Sequence, residues 1–490
     1  MLPPAVASSV AAAASTQPSE PTPEEPAEKK LTRSMSAIDA AALLVGSMIG
    51  SGIFIAPSLM ARNISAPGVY LGLWLLAGLY TLLGALSFAE LAAMMPEAGG
   101  PYVYLRQAMG PLPGFLYGWT LLFVIQSGFI AAVAIAFAKY LGIFFPAIGE
   151  QQILASLSLG PLGAVQISTA TLVALATIAV LTWVNLRGVE AGARVQTAFT
   201  GLKLLALWAL IAAGLIFGGR RGGSFANFLP AFSSSVPSTA THALFLGALG
   251  VAASKALFCY DAWSTVTFAA SEIRDPQRNL PRALVMGTLA TTLTYVGAAA
   301  VYLYLFALPA MAAIPENRVA AHAARLLFGG DTGAKLIAAA ILVSTFGCIN
   351  GMILGGARVL YAMAGDGMFW RGAAKLNSRR APGRALWLLA LWSAALTVSG
   401  RYDDLLTYTT FASLLFGALT AACVPILRRK QPDRERPYRT LAYPASTLLF
   451  IAVAMFFVFY IVQGDHKSAL YGVALVLLGL PVYGLLRRGQ

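Results

Sequence analysis

Runs of apolar residues, separated by short polar or Gly/Pro-containing connections, follow one another from residue 38 to residue 486. A helix that crosses the hydrocarbon core of a bilayer needs about 20 mainly apolar residues, and about twelve runs approach or exceed that length. They predict spans over residues 38–60, 69–95, 112–137, 167–186, 195–217 and 243–270 in the first half of the chain. The second half adds 283–307, 336–363, 385–398, 405–427, 445–462 and 469–486. The expected fold class is an all-α membrane protein of about twelve transmembrane helices, with residues 34–490 forming one membrane domain. Residues 1–33 are rich in Ala, Pro, Ser and Glu and too poor in apolar content to build a core, so they read as a disordered tail. A cleaved leader would carry basic residues ahead of an apolar core, and none precedes Lys29.

Two runs are ill suited to a continuous helix. The first contains Gly46-Ser47-Met48-Ile49-Gly50-Ser51-Gly52-Ile53-Phe54, followed by Pro57, a composition that favours local unwinding. The sixth contains Phe258-Cys259-Tyr260-Asp261-Ala262-Trp263, which sets a carboxylate near the middle of an apolar stretch. Interruptions at corresponding positions of two halves point to inverted repeats with a binding site at mid-membrane. Glycine-rich spans also serve close helix packing alone, and the glycines by themselves fit either reading.

Composition narrows the class. Hydrophobic residues make up 58% of the 490 and charged residues 11%, against roughly 25% charged in a soluble domain. The net charge of +14 would suit a nucleic-acid binder, but most Lys and Arg residues gather on one side of the predicted topology. Arg274/Arg278/Arg282 and the clusters within 371–384 and 428–439 fall in loops on the side of the N-terminus, which the positive-inside bias makes cytoplasmic. An even number of spans returns the C-terminus there. No nucleic acid is expected as a partner; membrane lipids are. Cys259, Cys348 and Cys423 lie inside predicted spans, which argues against a disulfide framework or a metal-ligand cluster. His242, His322 and His466 stand in predicted outer connections without metal-ligand spacing, so no enzyme, metal or cofactor is expected.

The residues that carry chemistry cluster at the two breaks. A broken helix presents backbone N–H groups at a half-helix N-terminus, a seat for an anion such as a carboxylate, and Gly50, Ser51 and Gly52 are placed to form it. Freed carbonyls at Met48 and Asp261 would accept hydrogen bonds from an ammonium group. Phe258 and Trp263 flank the sixth-span break and suit either a gate or ordinary packing. Lys203, Lys255, Asp261 and Arg358 are ionisable residues at membrane depth, which normally face a cavity or a partner. Lys203 either bridges oxygens of neighbouring helices or snorkels to the near interface. Arg358 reads as a structural tie near the cytoplasmic end of the eighth span. Lys255 is too deep to snorkel and has no assigned role.

Five segments, in order, resemble the amino acid/polyamine/organocation superfamily, and within it the L-type amino-acid transporters and their prokaryotic relatives. They are GSMIGSGIF in the first span; the stretch from Ala89-Glu90-Leu91 to Gly99-Gly100-Pro101-Tyr102; VQTAFTGLKLLAL in the fifth span; FCYDAW with SEIRDPQRNLPRA; and STFGCINGMILGGARVLYAMAGDG in the eighth. The resemblance implies a LeuT-type fold of two inverted five-span repeats, about 38–217 and 243–427, plus two further helices over about 445–486, working by alternating access. It implies that Gly50, Ser51 and Gly52 hold the substrate carboxylate, and that Met48 with the backbone at Phe258 and Asp261 holds the amino group. Phe258 would be the gate. Lys203 would stand where sodium-coupled members of the fold hold an ion, between the first and eighth spans, with Ser344 and Asn350 as further carry-overs.

The expected function is sodium-independent amino-acid transport, by exchange of neutral substrates. Proton-coupled symport, carriage of cationic amino acids or polyamines, and a sensor that binds without transporting are the alternatives. A side-chain carboxylate facing the pocket would favour cationic substrates; Asp261 acting through its backbone alone would favour neutral ones. Animal heterodimeric members join a heavy chain through a cysteine between the third and fourth spans. Residues 140–166 contain none, so no disulfide-linked heavy chain is expected.

Overall fold

The computed structural model describes residues 33–158, 164–232, 242–399, 402–464 and 466–488. The expected tail at 1–33 lies outside these residues except for Arg33. Among the described residues nine helices are long and apolar enough to cross a membrane, and shorter apolar helices at Leu246–Tyr260, Gly383–Val398 and Gly472–Leu486 fall on the remaining predicted spans.

The first predicted span is two helices, α1 (Ala37–Met48) and α2 (Gly52–Ala61). Ser36 starts α1 with a capping box: its hydroxyl accepts from the Asp39 N–H at 3.2 Å while the Asp39 carboxylate accepts from the Ser36 N–H at 2.9 Å. The second span is α3 (Pro67–Met94), followed by the short α4 (Pro101–Met109). The third is α5 (Pro111–Thr120) and α6 (Gln126–Leu141), joined without interruption by a π-helical turn at Leu121–Ile125. Between α6 and α7 (Thr169–Leu186) the chain forms an antiparallel hairpin, β1 (Ile153–Ser158) and β2 (Ala164–Ser168), a small addition to the helical pattern. The fifth span is α8 (Val189–Phe217).

The sixth span breaks as the first does. Helix α9 (His242–Tyr260) stops at Tyr260, and the one-turn α10 (Thr265–Phe268) resumes after a turn. Ala262 adopts φ +58° within that turn, a left-handed conformation costing a non-glycine residue about 1–2 kcal/mol. The chain continues through α11 (Pro276–Leu305), the short α12 (Leu308–Ala312) and α13 (Val319–Phe328), and the long α14 (Asp331–Gly365). It ends with α15 (Gly383–Ser399), α16 (Tyr402–Lys430), α17 (Ala445–Gly464), α18 (His466–Leu477) and α19 (Gly479–Arg488).

Helix α1 is enclosed by α8, α11 and α14, and α2 packs on α9, so both breaks lie inside the bundle. Their outer ends are tied down. Near the chain's N-terminal end, Met35 bridges to Ile273 through Met35 N–H to Glu272 O and Arg274 N–H to Met35 O, each 2.9 Å. On α2, the Tyr140 hydroxyl donates to Phe54 O in the first turn at 3.0 Å, and Arg62, just past the far end, donates from Nε to Ala312 O at 3.2 Å.

Candidate functional site

The break between α1 and α2 frees the carbonyls of residues 46–49, which a regular helix would have paired four residues on. Three other helices supply donors for them. From α8, Lys203 Nζ donates to Gly46 O at 2.6 Å and Ile49 O at 2.8 Å, and lies 3.4 Å from Ser344 O of α14. From α14, the Cys348 thiol donates to Ser47 O at 2.9 Å and the Ser344 hydroxyl to Ile49 O at 3.0 Å. From α11, the Tyr295 hydroxyl donates to Met48 O at 2.8 Å. An ammonium has three N–H donors, so Lys203, buried at 1% exposure, is held as a fixed cation between the first and eighth spans rather than snorkelling.

Tyr295 joins the two breaks, because its hydroxyl also lies 3.0 Å from the Cys259 carbonyl at the end of α9. No motif marked it. It sits in an apolar run on α11, and only the fold carries its ring to both breaks, where it stands edge-on to Tyr260 with centroids 5.0 Å apart. The Met48 carbonyl already accepts from the Gly50 N–H at 2.9 Å and from Tyr295. A substrate ammonium at Met48 O would compete with these partners.

The glycines of the first break are closely packed. A Cβ on Gly50 would fall 2.7 Å from Cys348 Sγ, and one on Gly52 would fall 2.4 Å from Cys259 Sγ and 3.2 Å from Cys259 Cα. Ser51 is fully buried at the N-cap of α2. Phe258 is buried, its ring 4.5 Å from that of Phe129 on α6, and its carbonyl accepts the Asp261 N–H at 3.2 Å. Asn350 accepts a hydrogen bond from Asn185 of α7 at 2.8 Å. It lies six residues beyond Ser344, which at 100° per residue puts the two on different faces of α14.

A cavity of about 50 Å³ lies on the other side of the sixth-span break, between α3, the third span, α16 and α17. That is room for about four waters. Asp261 lines it, with Trp263 and Ser264 from the same turn, Gln126 from α6, and Thr410 and Ser413 from α16. Residues of α1 and α2 are absent from its wall, so the structure gathers Lys203 and Ser344 at the first break and Asp261 at a separate cavity. The Asp261 carboxylate accepts the Ala262 N–H at 2.8 Å.

The remaining buried charges are ties. Lys255 donates to the Thr407 hydroxyl at 3.1 Å, joining α9 to α16. Arg358 makes a two-pronged pair with Glu272, both side chains almost wholly buried, and so links α14 to the loop after the sixth span. Glu90, which ends the second span, is held by Arg428 at 2.7 Å and 2.9 Å and by the Thr440 N–H at 2.7 Å.

A helical membrane bundle whose first and sixth spans break side by side, with polar groups of three other helices converging on the break, defines a multi-pass membrane transporter. Comparison with known proteins agrees. A family model described as amino acid permease matches residues 35–480. The b(0,+)-type amino acid transporter 1 of Mus musculus is 28% identical over 93% of this chain and 88% of its own length. The large neutral amino acids transporter small subunit 2 of Homo sapiens is 30% identical over 93% of this chain and 80% of its own. The chain belongs to the amino acid permease family, in the L-type branch of the amino acid/polyamine/organocation superfamily, and is an amino-acid transporter rather than an enzyme.

Proposed function

We propose that the protein exchanges amino acids across the cell membrane without sodium, by alternating access, with both termini cytoplasmic. The observation that carries this reading is the position of Lys203, whose ammonium already engages the Gly46 and Ile49 carbonyls that a cation at the first break would need. A sodium ion about 3 Å from that ammonium would meet a repulsion of about 5 kcal/mol at an effective dielectric of about 20. With no ion gradient to bias the cycle, a carrier either exchanges substrates or lets them equilibrate, and exchange is the reading proposed here.

In this reading the substrate carboxylate docks on the N–H groups of Gly50, Ser51 and Gly52 at the start of α2. The ammonium docks on the backbone near Phe258 and Asp261. Substrate entry displaces the Cys348 and Cys259 thiols that pack on the glycines. Neutral amino acids are the first expectation, and no disulfide-linked heavy chain is expected, since residues 140–166 hold no cysteine.

One observation favours a second reading, in which the side chain is cationic. Asp261 stands in the cavity wall as its acidic residue. Thr81 donates to Ala77 O at 2.8 Å, Thr420 to Phe416 O at 2.7 Å and Gln126 Nε2 to Met352 O at 2.7 Å. The wall carries many aromatic rings and, among the described residues, no Lys or Arg. An ammonium or guanidinium suits such a wall.

The test is uptake of radiolabelled leucine and lysine into proteoliposomes, with and without unlabelled amino acid inside, in sodium-free buffer at two pH values. Uptake only into preloaded vesicles supports exchange, and the preferred label decides between neutral and cationic substrates. Uptake into empty vesicles that grows with an inward proton gradient replaces this reading with symport. Specific binding without transport replaces it with a sensor.

A further inference from the structure

The third span carries a π-helical turn at Leu121–Ile125, closed by the Gln126 N–H donating to Leu121 O five residues back. Such turns are rare and concentrate at functional sites. Its geometric effect is direct. In a regular α-helix, residues five apart point about 140° away from each other. The widened turn reduces that angle, and Leu121, Ile125 and Gln126 all line the cavity that Asp261 also lines.

The turn is braced from two sides. Outside the cavity, Trp392 of α15 donates its indole N–H to Phe123 O within the turn at 2.9 Å, and the Phe123 ring lies between Trp119 and Trp392, with centroids 4.1 and 4.8 Å away. Inside, Gln126 is 4% exposed and its Nε2 donates to Met352 O of α14 at 2.7 Å. Gly356, one turn further along α14, leaves the room for this side chain, because a Cβ there would fall 2.7 Å from Gln126 Cγ. One of the two Nε2 hydrogens is committed to Met352 O, and the amide oxygen is the acceptor that Gln126 brings to the cavity wall.

We propose that Gln126, set on the cavity wall by the π-helical turn, is a specificity-determining residue that accepts a hydrogen bond from a donor-bearing substrate side chain, and that Trp392 is its positioning residue. This rests on the reading above, in which the cavity receives the side chain of a transported amino acid. The geometry assigns the role to an amide presented by a helix irregularity, and it makes an indole outside the cavity part of substrate selection.

The test compares glutamine with leucine, side chains of similar size with and without a donor, in counterflow by the full-length protein. The readout is the ratio of kcat/KM for the two substrates in wild type, Gln126→Met and Trp392→Phe. A lost neutral hydrogen bond lowers the glutamine-to-leucine ratio about 3- to 10-fold. The expected result is a fall of that size in the ratio in both variants. Trp392→Phe keeps the test informative if Gln126→Met folds poorly, since it removes one N–H and keeps an aromatic ring outside the cavity. A wild-type ratio in Trp392→Phe, or glutamine and leucine falling in step in both variants, overturns the inference. Wild-type protein that exchanges neither substrate refutes the transport reading itself, a result separable from a failure confined to the variants.

Discussion

Replacing Tyr295 by Phe deletes one oxygen and keeps the ring that packs on Trp74 and Tyr260. The single O–H proton of Tyr295 is shared between Met48 O at 2.8 Å and Cys259 O at 3.0 Å, so the two breaks lose one donor between them. Met48 O retains the Gly50 N–H, and its loss is the cheaper one. Cys259 O lies in the last turn of α9, where no intrahelical N–H reaches it. Leaving such a buried group unsatisfied costs about 1–3 kcal/mol. If the hydroxyl joins the breaks only when the site is closed, the closed state alone bears that cost, and a central value of about 2 kcal/mol slows exchange about 30-fold. The assay is counterflow turnover in proteoliposomes beside the thermal midpoint of the detergent-purified protein. The account expects a turnover loss of that order with a shift in midpoint of only a few degrees. Turnover within threefold of wild type together with a large fall in midpoint would refute it, because Tyr295 would then be a static brace present through the whole cycle.

Other consequences follow from the packing. Gly50→Ala conflicts chiefly with the Cys348 sulfur at 2.7 Å, so adding Cys348→Ala should restore most of the exchange lost by Gly50→Ala; Gly52→Ala meets the Cys259 backbone at 3.2 Å as well, so Cys259→Ala should rescue it poorly. Counterflow by the two single and two double variants checks both halves. Glu272→Gln strands the buried Arg358 guanidinium, a loss of about 3–5 kcal/mol, whereas Glu272→Leu with Arg358→Met should recover much of it; thermal unfolding in detergent reads the difference. Asp261→Asn should lower lysine uptake relative to leucine by at least tenfold if a cationic side chain binds there, since a charged hydrogen bond is worth about 1.5–3 kcal/mol. An unchanged ratio would leave the neutral reading in place.

Run length and glycine content make the bundle legible before any coordinates. The break at 46–52 is visible because three glycines sit in seven residues of an apolar run, and the one at 258–263 because it holds a carboxylate. Lys203 was recognisable by its depth, its segment and its resemblance to a family helix. Three features were not. Tyr295 is one tyrosine among 18, and its meaning comes from a packing that joins positions more than 200 residues apart. The π-helical turn of the third span has no composition signal, since Leu-Leu-Phe-Val-Ile suits any membrane helix, and its register is set by Trp392 and Met352 on other helices. Asn350 was carried over with Ser344 as a pair, but their six-residue spacing separates them around the helix. The resemblance also did not show that Met48 O would be engaged by the chain's own groups. A carbonyl's free lone pairs are a property of the closed fold.

The central claim is that a fixed lysine ammonium stands in place of a coupling ion. Its most direct test is counterflow of a radiolabelled amino acid, chosen as the best substrate of the wild type, into preloaded proteoliposomes with sodium replaced by choline. The measurement is made on wild type and on Lys203→Met. The account predicts equal wild-type rates with and without sodium, and a loss of at least tenfold in Lys203→Met, because the Gly46 and Ile49 carbonyls lose a charged donor worth about 1.5–3 kcal/mol. Wild-type transport that needs sodium, or Lys203→Met exchanging at the wild-type rate in choline, would contradict it.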